Sequence, residues 1–133
     1  MLRLLLGLLL CCFAWGCSGN SDYPATAPVK GVLLYEGKPL ANASISLIPD
    51  SGRPASGTTN VDGKFELMTF APGDGAIPGE HRVLVQKYAQ PSGDLYSATK
   101  SEIPMRYSEI KSTPLRQKVL AKDNPELRIE LED

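Results

Sequence analysis

Three cysteines and one histidine are the strongest nucleophile, redox and metal-ligand candidates in this 133-residue chain. Cys11, Cys12 and Cys17 all fall within the first seventeen residues, so nothing downstream offers a thiol for a zinc site, a redox pair or a disulfide. His81 stands alone, and a nucleophilic pair built on it would need Asp62 or Asp74 brought beside it in space. A histidine at a strand edge or on the surface is the expectation. Thr58-Thr-Asn60-Val-Asp62-Gly63 alternates oxygen donors as a calcium loop does, but the twelfth position is Thr69, where the bidentate carboxylate should stand. A hairpin turn is expected there. Pro72-Gly73-Asp74-Gly75 lacks the lysine and hydroxyl of a phosphate-binding loop and reads as a turn. Tyr88, Tyr96 and Tyr107, near Lys87, Lys100 and Arg106, are the residues able to stack on and hydrogen-bond a sugar or peptide; tyrosines that cap a core have the same composition. The residues predict no catalytic constellation, no metal and no cofactor, with ligand binding through the three tyrosines as the alternative.

The length is about that of one domain, and 42% hydrophobic with 22% charged residues is ordinary for a folded core. Fourteen Lys and Arg against fifteen Asp and Glu give a formal charge of −1, which excludes an electrostatic footprint for nucleic acid. Twelve glycines and eleven prolines point to many turns between short strands.

The amino-terminal segment carries an address. Arg3 is followed by Leu4 to Leu10 and then Cys11, Cys12, Phe13 and Ala14, an apolar run of signal-peptide length and too short to span a bilayer. It closes on Ala14-Trp15-Gly16-Cys17, with polar Ser18 to Asp22 beyond. That ending resembles a bacterial lipobox, although Ala14 and Trp15 stand where such sequences usually carry Leu and a small residue. The resemblance implies cleavage after residue 16, a diacylglycerol thioether on Cys17 and a membrane partner through that anchor. Ser18 after the cysteine implies the outer membrane of the cell envelope. An ordinary secretory cleavage nearby, an uncleaved anchor or a misassigned start are the alternatives. Residues 17–28, rich in Ser, Gly, Pro and Thr, read as a flexible tether, and the domain is expected over 29–133.

Within that domain the dominant pattern is alternation of period two. Val29 to Tyr35 is the first run, turned by Glu36-Gly37-Lys38-Pro39. Ala43, Ile45 and Leu47 face one way and Ser44 and Ser46 the other; Phe65 and Leu67 follow the Val61-Asp62-Gly63 turn; Leu127, Ile129 and Leu131 alternate near the end. Gly57 to Asn60, Glu80 to Tyr88 and Leu115 to Ala121 complete six or seven strands. Ala89 to Pro114 carries three prolines and no period, and reads as an excursion holding at most one short helix or edge strand. The fold class predicted is all-β, an antiparallel sandwich of about seven strands.

The order of these runs resembles the transthyretin-like sandwiches of carboxypeptidase regulatory-like domains and their bacterial surface relatives. The matching residues are Val29 to Leu40, Ala43 to Ile48, Thr58 to Leu67 and Gly79 to Val85, spread over a span of about half the chain after the leader. The resemblance implies an Ig-like Greek key and an envelope location, and no catalysis. Hydroxyisourate hydrolases share that fold, but with several histidines and a Tyr-Arg-Gly-Ser ending; this chain has one histidine and closes on Glu130-Leu-Glu-Asp133. The reading is a non-catalytic, lipid-anchored envelope module of accessory, structural or adhesion-like type, whose partner beyond the membrane is a glycan or envelope protein. The alternative is a carbohydrate- or peptide-binding module using residues 88–114.

Overall fold

The computed structural model describes residues 22–90, 93 and 99–133. The leader, Cys17 and Tyr96 lie outside them. Among the described residues eight strands form two four-stranded sheets: β1 (Lys30–Tyr35), β2 (Lys38–Pro39), β3 (Ser44–Pro49), β4 (Ala55–Thr58), β5 (Lys64–Glu66), β6 (Gly79–Gln86), β7 (Arg116–Val119) and β8 (Leu127–Leu131). No α-helix occurs among the described residues; a single 3-10 turn spans Met105–Ser108. The first sheet centres on β1, flanked by β8 on one side and by β5 and β2 on the other; the second runs β4-β3-β6-β7. The molecule is an all-β sandwich.

The period-two faces close on each other. Ala43, Ile45 and Leu47 of the β3 region, Val83 and Val85 of β6, Phe65 and Leu67 around β5, and Leu127, Ile129 and Leu131 of β8 are all buried, with Leu33 and Val119. Fully burying each aliphatic side chain contributes about 1.5–3 kcal/mol before the entropy of ordering is charged against it. The polar residues between them, such as Ser44, Lys64, Glu66, Arg128 and Glu130, face water.

Two features depart from the sequence expectation. One pair is parallel: β8 lies beside β1 with Leu33 opposite Ile129, because the turn after β7 carries the chain across to the other sheet and starts β8 at the end where β1 also starts. The domain also begins before Val29. Ala27 is buried and exchanges two backbone hydrogen bonds with Ala76, at 2.9 and 3.0 Å, so the stretch expected to be tether up to residue 28 is laid against the fold from Tyr23 onward. At a corner the sheets also join, through a reciprocal backbone bridge between Ser56 and Met68.

Strand directions define two ends. The segment before β1, the Asp50–Pro54 loop after β3, the loop 69–78 before β6 and the turn 120–126 share one end. The Glu36–Gly37 turn, the Asn60–Gly63 turn and the carboxyl terminus occupy the other.

Candidate functional site

The loop 69–76 is built around one carboxylate. Asp74 accepts backbone hydrogen bonds from Thr69, Phe70 and Ala71 at 2.7, 2.9 and 3.0 Å, while the Thr69 hydroxyl donates to the Gly75 carbonyl at 2.7 Å. Desolvation pushes the Asp74 carboxyl up, but these backbone donors outweigh it and hold the group below the usual carboxylate range. The folded loop presents Phe70 to the incoming chain. Tyr23 stacks on Phe70 with centroids 4.4 Å apart and planes 11° from parallel, and the Arg53 guanidinium lies 5.7 Å from the same ring centroid. Gly75, at φ +86°, sits against Ala27, and a Cβ there would collide with the Ala27 carbonyl. Tyr23, Phe70 and Arg53 were not singled out by sequence reasoning; the signal available was an aromatic inside an otherwise polar, proline-rich stretch.

The tyrosines of the excursion separate. Tyr88 is exposed, on a short paired arm in which Tyr88 bridges Ser101, Ala89 N–H donates to Lys100 O, and Glu102 N–H donates to Lys87 O. Tyr107 is only 4% exposed and belongs to the core. Its hydroxyl donates to the Glu132 carbonyl and accepts from the Glu132 N–H, both at 3.0 Å, and Arg106 packs over its ring at 4.7 Å. Ile103 and Thr113 are buried beside it, the Thr113 hydroxyl donating to Val83 O at 2.7 Å. The second half of the expected excursion therefore closes the sandwich, and Tyr107 has no free face for a ligand.

His81 is buried in β6, where a strand-edge or surface position was expected. Its Nε2 lies 2.6 Å from the Ile77 carbonyl, which can only accept, so Nε2 carries the proton; Nδ1 has no partner. Neither Asp62 nor Asp74 reaches it. Asn60 Oδ1 accepts from the backbone of Asp62 and Lys64 at 2.9 and 3.0 Å, which makes Thr58–Gly63 the hairpin turn expected. Among the described residues no cluster of three or more His, Cys, Asp or Glu is arranged to hold a metal, and no helix is long and apolar enough to cross a membrane.

An open groove of about 750 Å³ runs beside β5 and the start of β1, lined by Lys30, Lys64 and Glu66 together with Asn60, Asn124 and Glu126. Lys30 and Glu66 stand 3.9 Å apart and are well solvated, a pairing worth little. Neither Tyr88 nor Tyr107 lines the groove. Comparison with protein-family models, with curated proteins and with solved structures finds no match for this chain.

Proposed function

We propose that this chain is a non-catalytic β-sandwich held at a bacterial cell envelope by a lipid on Cys17, acting as an accessory, structural or adhesion-like module of the transthyretin-like, carboxypeptidase regulatory-like kind. The single observation that carries the reading is the apolar run ending in Ala14-Trp15-Gly16-Cys17 immediately upstream of a folded domain that contains no cysteine of its own. One buried methylene is worth about 0.8 kcal/mol, so two or three acyl chains hold such a domain on a bilayer essentially permanently. Ser18 beside the anchor favours the outer membrane. The test is the intact mass of membrane-extracted protein with and without Cys17→Ser. Loss of residues 1–16 with acyl mass added at Cys17, both abolished by the substitution, is expected; a soluble product keeping its leader overturns the reading.

Tyr88, 42% exposed on its paired arm, favours a second reading, a glycan- or peptide-binding module. Retention on cell-wall glycan lost in Tyr88→Ala and Tyr96→Ala supports it, and unchanged retention counts against it.

A further inference from the structure

We infer that the end of the sandwich carrying Tyr23, Phe70 and Arg53 is the face turned to the bilayer, and that the opposite end, with the Asn60–Gly63 turn and the carboxyl terminus, is held away from it. The inference rests on anchorage at Cys17 and adds to it an orientation. What fixes the orientation is the point at which the chain becomes part of the domain. Had the tether run freely to residue 28, twelve residue steps would separate Cys17 from Val29, about 40 Å when extended at ~3.3–3.6 Å per residue, and any face could reach the membrane.

The structure shortens that leash. Tyr23 is stacked on Phe70, and Ala27 is buried and bonded to Ala76. Only six steps then join Cys17 to Tyr23, and whatever path residues 18–21 take, they span at most about 20–22 Å. A compact domain of about 100 residues has a radius of gyration near 13 Å, hence a diameter of about 34 Å. An inverted domain, with its Tyr23 end outward, would need a leash as long as that diameter. It is out of reach.

Side chains at the near end suit a headgroup layer. Tyr23 is 63% exposed although its ring is stacked, and Arg53 and Lys122 are exposed at the same end. Tyrosine and the long basic residues place an apolar body and a polar tip at such an interface. Asp50, Asp74, Asp123 and Glu126 share that end and outnumber those two bases, so the leash rather than attraction to anionic lipid sets the geometry.

The experiment uses the full lipoprotein, extracted from membranes and reconstituted in phosphatidylethanolamine–phosphatidylglycerol vesicles bearing a headgroup-attached spin-label quencher. Cys17 is blocked by its lipid, so a single new thiol can carry a fluorophore. Ser51→Cys marks the near end and Val61→Cys, at a residue 81% exposed, the far end. The Ser51→Cys probe is expected to lose at least half of its emission and the Val61→Cys probe to keep nearly all of it. A ten-residue Gly-Ser insertion after Asn20, which leaves the fold untouched, should erase the difference. Equal quenching at both sites on acylated protein overturns the orientation alone. Absence of acyl mass on Cys17 overturns the anchorage and the orientation with it.

Discussion

Asp74 shows how much of the near end depends on one side chain. Its carboxylate neutralises three adjacent backbone donors, one of them the N–H of buried Thr69. Because its folded pKa is lowered, the stabilisation is fully present above the unfolded value near ~3.9 and is lost as pH falls through the lower folded value. Thermal melts should show stability falling as pH drops below about 4, a component that Asp74→Asn lacks. Asp74→Ala should cost about 1–3 kcal/mol at neutral pH, because it leaves the Thr69 N–H without its acceptor. A melt of Asp74→Ala matching wild type would show the loop to be held by something else. Tyr107 makes the complementary case at the other end, where its hydroxyl ties the 3-10 turn to Glu132. Tyr107→Phe should lose about 0.5–1.5 kcal/mol in denaturant titration, and Tyr107→Ala about 3–5 kcal/mol, since the ring itself is core. Equal losses in the two variants would mean that the hydroxyl, not the ring, carries the site.

At the scale of the elements, β1 is the centre of its sheet, with neighbours on both edges, and its second residue must be glycine. A Cβ on Gly31 would stand 2.5 Å from the tip of the Phe65 ring and 2.6 Å from the Leu127 carbonyl oxygen. The ring can move; the carbonyl belongs to the β1–β8 ladder and cannot. Gly31→Ala should therefore destabilise by about 1–3 kcal/mol, and adding Phe65→Leu should fail to restore wild-type stability even though it removes the ring clash. Full rescue by the double variant would show that the ring was the whole obstacle. Elements such as β3 and β8 were legible because their alternation is uninterrupted and both ends carry turn residues: Ala43, Ile45, Leu47, Leu127, Ile129 and Leu131 are buried as the pattern requires. The parallel pairing of β8 was not legible, since register between strands far apart in sequence leaves no local trace. Nor was the core role of Ile103, Tyr107 and Thr113, which are anchored by partners on β6 and at the carboxyl terminus rather than by any period of their own. His81 was misplaced for a different reason: period two puts it on the inward face with Val83 and Val85, but its polarity argues for an exposed or edge position, and the Ile77 carbonyl at 2.6 Å makes its burial tolerable.

At the scale of the whole molecule the question is where the folded unit starts. Composition sets the boundary at Val29, because Ser, Pro and Thr before it have little to bury. Ala27 escapes that reasoning: one alanine carries no periodicity, and its burial depends on Ala76, which lies far along the chain. Two backbone hydrogen bonds contribute about 0.5–1.5 kcal/mol each, and an aromatic stack about 0.5–1.5 kcal/mol beyond its area. Each 1 kcal/mol of this that survives the ordering of residues 22–28 raises Tm by about 4 °C at this size. A soluble domain beginning at Asp22 should therefore melt measurably higher than one beginning at Val29, and the gap should close when Tyr23→Ala and Gly75→Ala are combined in the longer chain. Identical melting of the two lengths would return residues 22–28 to the role of a plain tether. It would also lengthen the leash from Cys17 until either end of the sandwich could face the membrane.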